Sequence, residues 1–315
     1  MHNETEDLKQ EMARVYGFRQ IEDWHWVSTN EPYATARLQA DGQAYVARLY
    51  SETEQFTTAH YHTSLMRWIE YSGIPVEAVI PTALGSQLAI LSNGKTVVLS
   101  VFHPVTTVPL PISHEDVVKW GVLTARIHVA CERWCPDVHV PTALLRSSPR
   151  VMLIRAMDLA SGVPESKATL VKFDLTIVPV SEHVFNVGTK CPVHGDLWPG
   201  NLLKETDGLR VIDFQESGDG TPVVDMATAY RWMPWRENSK VAHDLWQAWL
   251  EAYRQIREPS EIEVNSIMSV ACLQQLYWLI EEIKDAHANV SAQPEIAWYV
   301  NDHCETIEAI LASAA

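Results

Sequence analysis

Residues 191–204 read CPVHGDLWPGNLLK, and residues 209–220 read LRVIDFQESGDG. The first stretch brings His194, Asp196 and Asn201 close together, and the second is a short apolar run that ends on Asp213. GNLLK and LRVIDF read as a pair of strands, because each is a brief apolar segment bounded by turn residues. A carboxylate, an amide and a second carboxylate therefore sit at the edges of short hydrophobic elements. All three offer hard oxygen atoms.

Chemistry at a phosphate asks for such a set. A hydroxyl must be oriented and its proton accepted, while Mg²⁺ neutralises the phosphate charge. Mg²⁺ takes carboxylate and amide oxygens and keeps several waters. The spacing His-x-Asp-x-x-x-x-Asn, followed by an Asp at the end of a hairpin strand, is that of the catalytic loop in phosphoryl-transfer enzymes of kinase architecture. On this reading Asp196 is the base, and Asn201 and Asp213 are metal ligands. His194, the other catalytic-loop residue, braces the loop by hydrogen bonding. The three oxygen-bearing side chains are expected to converge on a magnesium-loaded triphosphate.

VHGDLWPGNLL, together with VIDFQESGDGTPVVDMATA, closely resembles the aminoglycoside phosphotransferase and choline kinase family of small-molecule kinases. VDMATA supplies the family's later Asp-Leu-Ala element, with Asp225 in the Asp position. Weaker likeness runs through ARLY, LMRWIEYSGIPV and WGVLTARIHVA, so it spans most of the chain. The resemblance implies an α+β, protein-kinase-like fold. A small β-rich nucleotide-binding lobe over residues 1–101 is expected before a larger, mainly helical catalytic and substrate lobe over 102–315. Protein kinases would read His-Arg-Asp and Asp-Phe-Gly; Gly195 points to small substrates.

The family also implies a basic residue on the third strand that grips the ATP phosphates, held by a Glu on the next helix. YVARLY offers Arg48 in place of Lys, a planar fork instead of a point charge. Aligned on TSLMRWIEYSGIPV, the Glu position falls on His62, and Glu52 and Glu54 come about a turn early. The segment VSTNEPYATARL, where a glycine-rich cover belongs, has no glycine and is stiffened by Pro32. Adenine is expected against the backbone of Ser100, Val101 and Phe102. From the sequence, two readings stay open: an active enzyme with a variant phosphate grip, or a catalytically impaired kinase-fold sensor of nucleotide or metabolite. The intact Asp196, Asn201 and Asp213 favour chemistry. A metal-dependent hydrolase using the same carboxylates is less well matched, because no His-rich ligand set accompanies them.

The phosphate acceptor is expected to be a small-molecule hydroxyl: an aminoglycoside, an amino alcohol or a sugar-like compound. Its pocket is expected between the catalytic loop and the late helices, with Trp198, Glu216, Asp219 and Trp232 as lining candidates and Trp235, Trp278 and Glu281 behind them. Aromatic faces beside carboxylates suit a cationic or sugar-like ligand. Twelve tryptophans are present, and Trp120, Trp246 and Trp249 read as core. Trp198 stands apart because it lies inside the catalytic loop.

Outward from this centre, HWVST, YATARLQ and QAYVARLY read as strands, the last two joined by the ADGQ turn. Glu54 to Tyr71 has helical period and stops at SGIP. SQLAIL and TVVLSVF are two more strands, so the first hundred residues read as strands with one helix. HPVTTVPLPISHED, with Pro104, Pro109 and Pro111, is a connector. Ser113 and Asp116 then form a capping signature before an apolar stripe of Val117, Trp120, Thr124, Ile127 and Cys131. Later helices centre on residues 224–235, 241–256, 262–288 and 295–312.

Bulk composition narrows the classes. The chain has 315 residues, 47% of them hydrophobic, and a net charge of −16. That apolar fraction supports a large core and argues against extensive disorder. The acidic balance argues against nucleic-acid binding, which needs a surplus of Lys and Arg. The N-terminal stretch MHNETEDLKQEMARVYGF lacks the apolar core of a signal peptide. VNSIMSVACLQQLYWLIEEI is interrupted by Asn265, Gln274 and Gln275 and reads as a buried helix, not a membrane span. Five cysteines without a secretory signal fit free thiols and a cytoplasmic enzyme, monomeric or homodimeric. His128, Cys131, Cys135 and His139 invite a zinc reading. A helix through His128 and Cys131, ended by Pro136, favours buried small side chains instead. The histidines of AHYH at residues 59–62 lack a third partner and read as ordinary surface or core residues.

Overall fold

The computed structural model describes residues 2–28, 33–50, 54–135, 148–159, 166–288 and 296–313. The chain forms two compact units: Met1–Thr107 with Arg133–Pro141 and Leu202–Gln215, and Val108–Glu132 with Thr142–Asn201 and Glu216–Ala315.

The first unit is built on an antiparallel sheet of β1 (Ile21–Ser28), β2 (Tyr33–Ala40), β3 (Gln43–Tyr50), β4 (Ala89–Ile90) and β5 (Thr96–Val101), in the order β1-β2-β3-β5-β4. β-Branched and aromatic residues fill the central strands, and Ala47, Leu49, Val97 and Leu99 are buried. Two helices accompany the sheet: α1 (His2–Tyr16) and α2 (Glu54–Tyr71). The sequence reading expected only α2, whose bounds it matches. α1 shows why a charged segment was passed over. Its apolar stripe is narrow, Leu8, Met12 and Tyr16 at every fourth position, yet those three side chains pack with Leu38, Leu49, Val97 and Leu99 in one core cluster. Glu11, on the polar side of α1, accepts hydrogen bonds from the Ser92 amide (2.7 Å) and hydroxyl (2.8 Å).

The same unit takes in the hairpin β7 (Leu202–Glu205) and β8 (Gly208–Val211), paired as expected. β8 also carries the segment that follows α2. The amide of Glu77 donates to Val211 (2.9 Å), and the amide of Val211 donates to Pro75 (3.0 Å). This long-range pairing brings residue 77 beside the end of β8.

The second unit is helical: α3 (His114–Cys131), α4 (Pro149–Leu159), α5 (Ser166–Val187), α6 (Val223–Arg231), α7 (Ser239–Arg254), α8 (Glu261–Ala288) and α9 (Ile296–Ala312). Ser113 caps α3 as its spacing predicts: its hydroxyl accepts from the Asp116 amide at 3.1 Å and donates to the Asp116 carboxylate at 2.7 Å. The unit's aromatic core stacks Trp246 on Trp249 and Trp249 on Tyr253, with Trp120 edge-on to Trp249. One pair of short strands, β6 (Cys191–Val193) and β9 (Gly218–Gly220), brackets the catalytic-loop region. β9 escaped the sequence reading because Gly-Asp-Gly has no strand propensity; pairing with β6 alone makes it a strand. Among the described residues no helix is long and apolar enough to cross a membrane.

Candidate active site

β6 delivers the chain into His194, and the loop from His194 to Asn201 is tightly held. Gly195 has φ +85°, and a Cβ built on it would lie 2.3 Å from the Glu216 carbonyl oxygen. Only glycine fits there. Asp225, in the first turn of α6, clamps the loop backbone: its carboxylate accepts from the His194 amide (2.9 Å) and the Gly195 amide (2.8 Å). Burial would raise the Asp225 pKa, yet hydrogen bonding from His128 and the nearby His194 hold it below the ordinary carboxylate value.

A buried chain of contacts backs this clamp. His128 Nε2 meets Asp225 at 3.0 Å, and His128 Nδ1 meets the Tyr253 hydroxyl at 2.7 Å. Arg257 donates to that hydroxyl (3.0 Å) and grips Glu263 with two nitrogens (3.1 and 2.8 Å). Four helices thus fix one loop.

Asp196 and Asn201 are brought together on the loop. The Asn201 side-chain amide donates to the Asp196 carbonyl at 2.8 Å and to its carboxylate at 3.2 Å. With its nitrogen engaged on Asp196, Asn201 keeps its carbonyl oxygen for another partner, the polarity a hard cation requires. The Asp196 amide donates to His194 Nδ1 at 3.3 Å, so buried His194 braces the turn.

A second cluster forms in the first unit. Arg48 on β3 is buried and donates to Glu77 at 2.9 Å, with Asp213 at 3.5 Å. Glu77 also accepts from the Ser100 hydroxyl (2.9 Å) and the Asp213 amide (2.9 Å). Burial disfavours charge on Arg48, but Glu77 and Asp213 beside it raise its pKa above the ordinary value. For Glu77 the balance is the converse: burial pushes up, and Arg48 together with the Asp213 amide and the Ser100 hydroxyl brings the carboxyl below the usual range. Asp213 sits at φ +68°. A non-glycine residue held in that region marks strain that surrounding contacts must sustain.

His62, aligned by sequence with the family's Glu, is not the partner of Arg48. It is buried beside the Tyr50 hydroxyl at 3.3 Å. Glu52 and the glycine-free turn through Pro32 lie outside the described residues. Ser100 spends its side chain on Glu77, and the amides of Val101 and Phe102 donate to Ala78 and Ala44, both at 3.0 Å. An adenine at this connector must find its hydrogen-bond donors elsewhere.

Among the residues expected to line the acceptor pocket, Trp198 stacks on Trp232 with centroids 4.6 Å apart and planes at 20°. Gly200 makes room for the indole, since a Cβ there would come within 2.3 Å of the Trp198 ring. Trp232 also lines a cavity of about 720 Å³, with Trp235, Met233, Arg231, Gln275 and Leu110 among its other walls. Trp235 is anchored there by its indole N–H on the Tyr230 carbonyl at 2.7 Å. Trp198, Glu216, Asp219, Trp278 and Glu281 are not among the cavity's lining residues.

Residues 30–259 match the Phosphotransferase enzyme family, a span that holds both clusters. The chain belongs to that family. Among solved structures it is similar to an amicoumacin kinase in complex with AMP-PNP, Ca²⁺ and amicoumacin, at TM-score 0.73 and 14% identity, covering 97% of this chain and 96% of the other. A spectinomycin phosphotransferase with ADP and spectinomycin matches at TM-score 0.71 and 12% identity over 98% of both chains. A microcompartment-associated aminopropanol kinase matches at TM-score 0.68 and 18% identity, over 98% and 97%. No curated protein sequence matches the chain. The phosphotransferase thus has the α+β, kinase-like fold that its catalytic-loop spacing implies.

Two further points follow for this phosphotransferase. Glu77 was missed by sequence reasoning because the carboxylate partner of Arg48 was sought on α2, whereas it lies beyond the helix in IPVEAVIP; a lone carboxylate inside an apolar run was the available signal. The zinc reading fails. His128 is committed to Asp225 and Tyr253, Cys131 is buried with its thiol pushed up by burial, Cys135 is exposed, and His139 lies outside the described residues. Among the described residues no group of three or more His, Cys, Asp or Glu side chains is placed to hold a metal ion.

Proposed function

We propose that this phosphotransferase moves the γ-phosphate of ATP to a hydroxyl of a small molecule, with Asp196 as the base. The observation that carries the reading is the held loop. Asp225 fixes the backbone of His194 and Gly195, and Asn201 engages Asp196 directly. A binding module has no use for a carboxylate so carefully oriented.

Asp196 accepts the hydroxyl proton as the acceptor oxygen attacks, and it aims that oxygen through its fixed backbone. Asn201 and Asp213 would hold Mg²⁺ through their oxygens, a donor set that fits a hard cation. When bound, the ion neutralises charge on the phosphates. Arg48 supplies a permanent cation for the phosphates, and Glu77 with Ser100 keeps it oriented. Ser100 to Phe102 would border the adenine, with donors drawn from farther along the connector. Trp198 and Trp232 form the wall against which the acceptor lies.

The related structures were solved with AMP-PNP or ADP and with amicoumacin or spectinomycin, and they support a small-molecule acceptor. A panel of hydroxyl-bearing amines, sugars and acids, assayed for acceptor-dependent ADP formation, tests the reading. Acceptor-dependent release is the expected result. Phosphate released at the same rate without any acceptor would mean a hydrolase, and nucleotide binding without turnover on any member would mean a sensor.

A further inference from the structure

Arg231 closes α6, the helix whose first turn clamps the catalytic loop, and it lines the 720 Å³ cavity. Its Nε is shielded from solvent and has no hydrogen-bond partner. Among the described residues its one hydrogen bond is from Nη1 to the Gln275 side-chain oxygen, long at 3.3 Å, and its guanidinium carbon lies 5.4 Å from the Trp232 ring centroid. Gln275 is itself fixed, through its amide nitrogen to His303 at 2.7 Å. Among the described residues no carboxylate pairs with Arg231, whereas Arg236 on the same cavity wall is taken up by Asp302 and Glu305.

Trp232, the next residue, has its indole Nε1 buried and equally unpartnered. Two adjacent cavity-lining residues therefore hold N–H donors without acceptors. Guanidinium and indole nitrogens donate only. A ligand that satisfies them must bring acceptor oxygens; an ammonium group cannot. Buried donors left unmet are costly, so such a pair calls for an explanation. Burial pushes the Arg231 pKa down to about 10, with Asp196 and Glu282 close enough to act in the opposite direction. The guanidinium therefore lies near Asp196 without a salt bridge to any carboxylate among the described residues.

We infer that the acceptor is a hydroxyl-bearing carboxylate whose anionic end is received by Arg231 and the Trp232 indole, which turns its hydroxyl end toward Asp196. The inference rests on the phosphotransferase reading for the role of the hydroxyl, and it departs from the cationic acceptor that aromatic and acidic candidates alone imply. A carboxylate offers two oxygens to two donors, and its bond to the guanidinium is charge-assisted.

Calorimetric titration of the full chain, loaded with AMP-PNP and Mg²⁺, tests this with ω-hydroxy carboxylates of graded length and their primary amides. Carboxylates are expected to bind tighter than amides by roughly tenfold to a hundredfold. Arg231→Gln removes the preference. Arg231→Lys, which keeps the charge but loses the fork, reduces it and decides the matter if the Gln variant does not fold. Equal affinity for the two series, a preference unchanged in these variants, or no binding by either series overturns the inference. Carboxylates that bind through Arg231 while ADP never forms would leave this site standing and remove the phosphotransferase reading. ADP formed from neutral acceptors without Arg231 dependence would do the opposite.

Discussion

At the scale of single residues, the pair that the proposal assigns to the nucleotide phosphates is Arg48 with Glu77. Each is buried, and each would be unfavourable alone. Replacing Glu77 with Gln leaves a buried guanidinium without its main counter-charge, so we expect destabilisation of about 3–5 kcal/mol. Urea denaturation measures the loss, and an effect below about 1 kcal/mol would show the pair to be dispensable. The pH dependence has a definite sign. Glu77 and Asp225 both have carboxyl pKa values lowered by folding. The unfolded chain then binds more protons at acid pH, so this stability is complete above the unfolded values near 4 and drains away as pH falls through the folded ones. Denaturation midpoints should drop on acidification below about pH 5, and Asp225→Asn should flatten part of that slope.

The element that matters most is the loop between β6 and α6. A side chain at residue 195 meets both a positive φ and a backbone carbonyl. We expect Gly195→Ala to cost at least 1–2 kcal/mol and to lower turnover more than nucleotide affinity, as measured by steady-state kinetics beside nucleotide titration. Much of this element was legible in the sequence. The His-Gly-Asp spacing, Asn201, the β7–β8 hairpin and the Ser113 cap all depend on contacts between near neighbours. What was not legible depends on partners distant in sequence. Glu77 reaches Arg48 because its segment pairs with β8, more than a hundred residues on. His128 looks like a metal ligand until Asp225 and Tyr253 are seen around it. β9 has no strand signal of its own.

For the whole molecule, the proposal assigns Asp196, Asn201 and Asp213 to one reaction. Nucleotide and metal should then stabilise the chain together. AMP-PNP with Mg²⁺ at a hundred times its Kd should add about 2.7 kcal/mol. Asn201→Ala and Asp213→Ala should each remove the magnesium-dependent part while leaving the nucleotide-only part. Thermal melts with and without the metal read this directly, and a magnesium effect intact in both variants would reject the ligand assignment. The sharpest test is Asp196→Asn, assayed with a confirmed acceptor beside a titration with ATP and Mg²⁺. The account predicts ADP formation lower by about a hundredfold to ten-thousandfold with nucleotide affinity nearly unchanged. Turnover equal to that of the wild-type chain would contradict it.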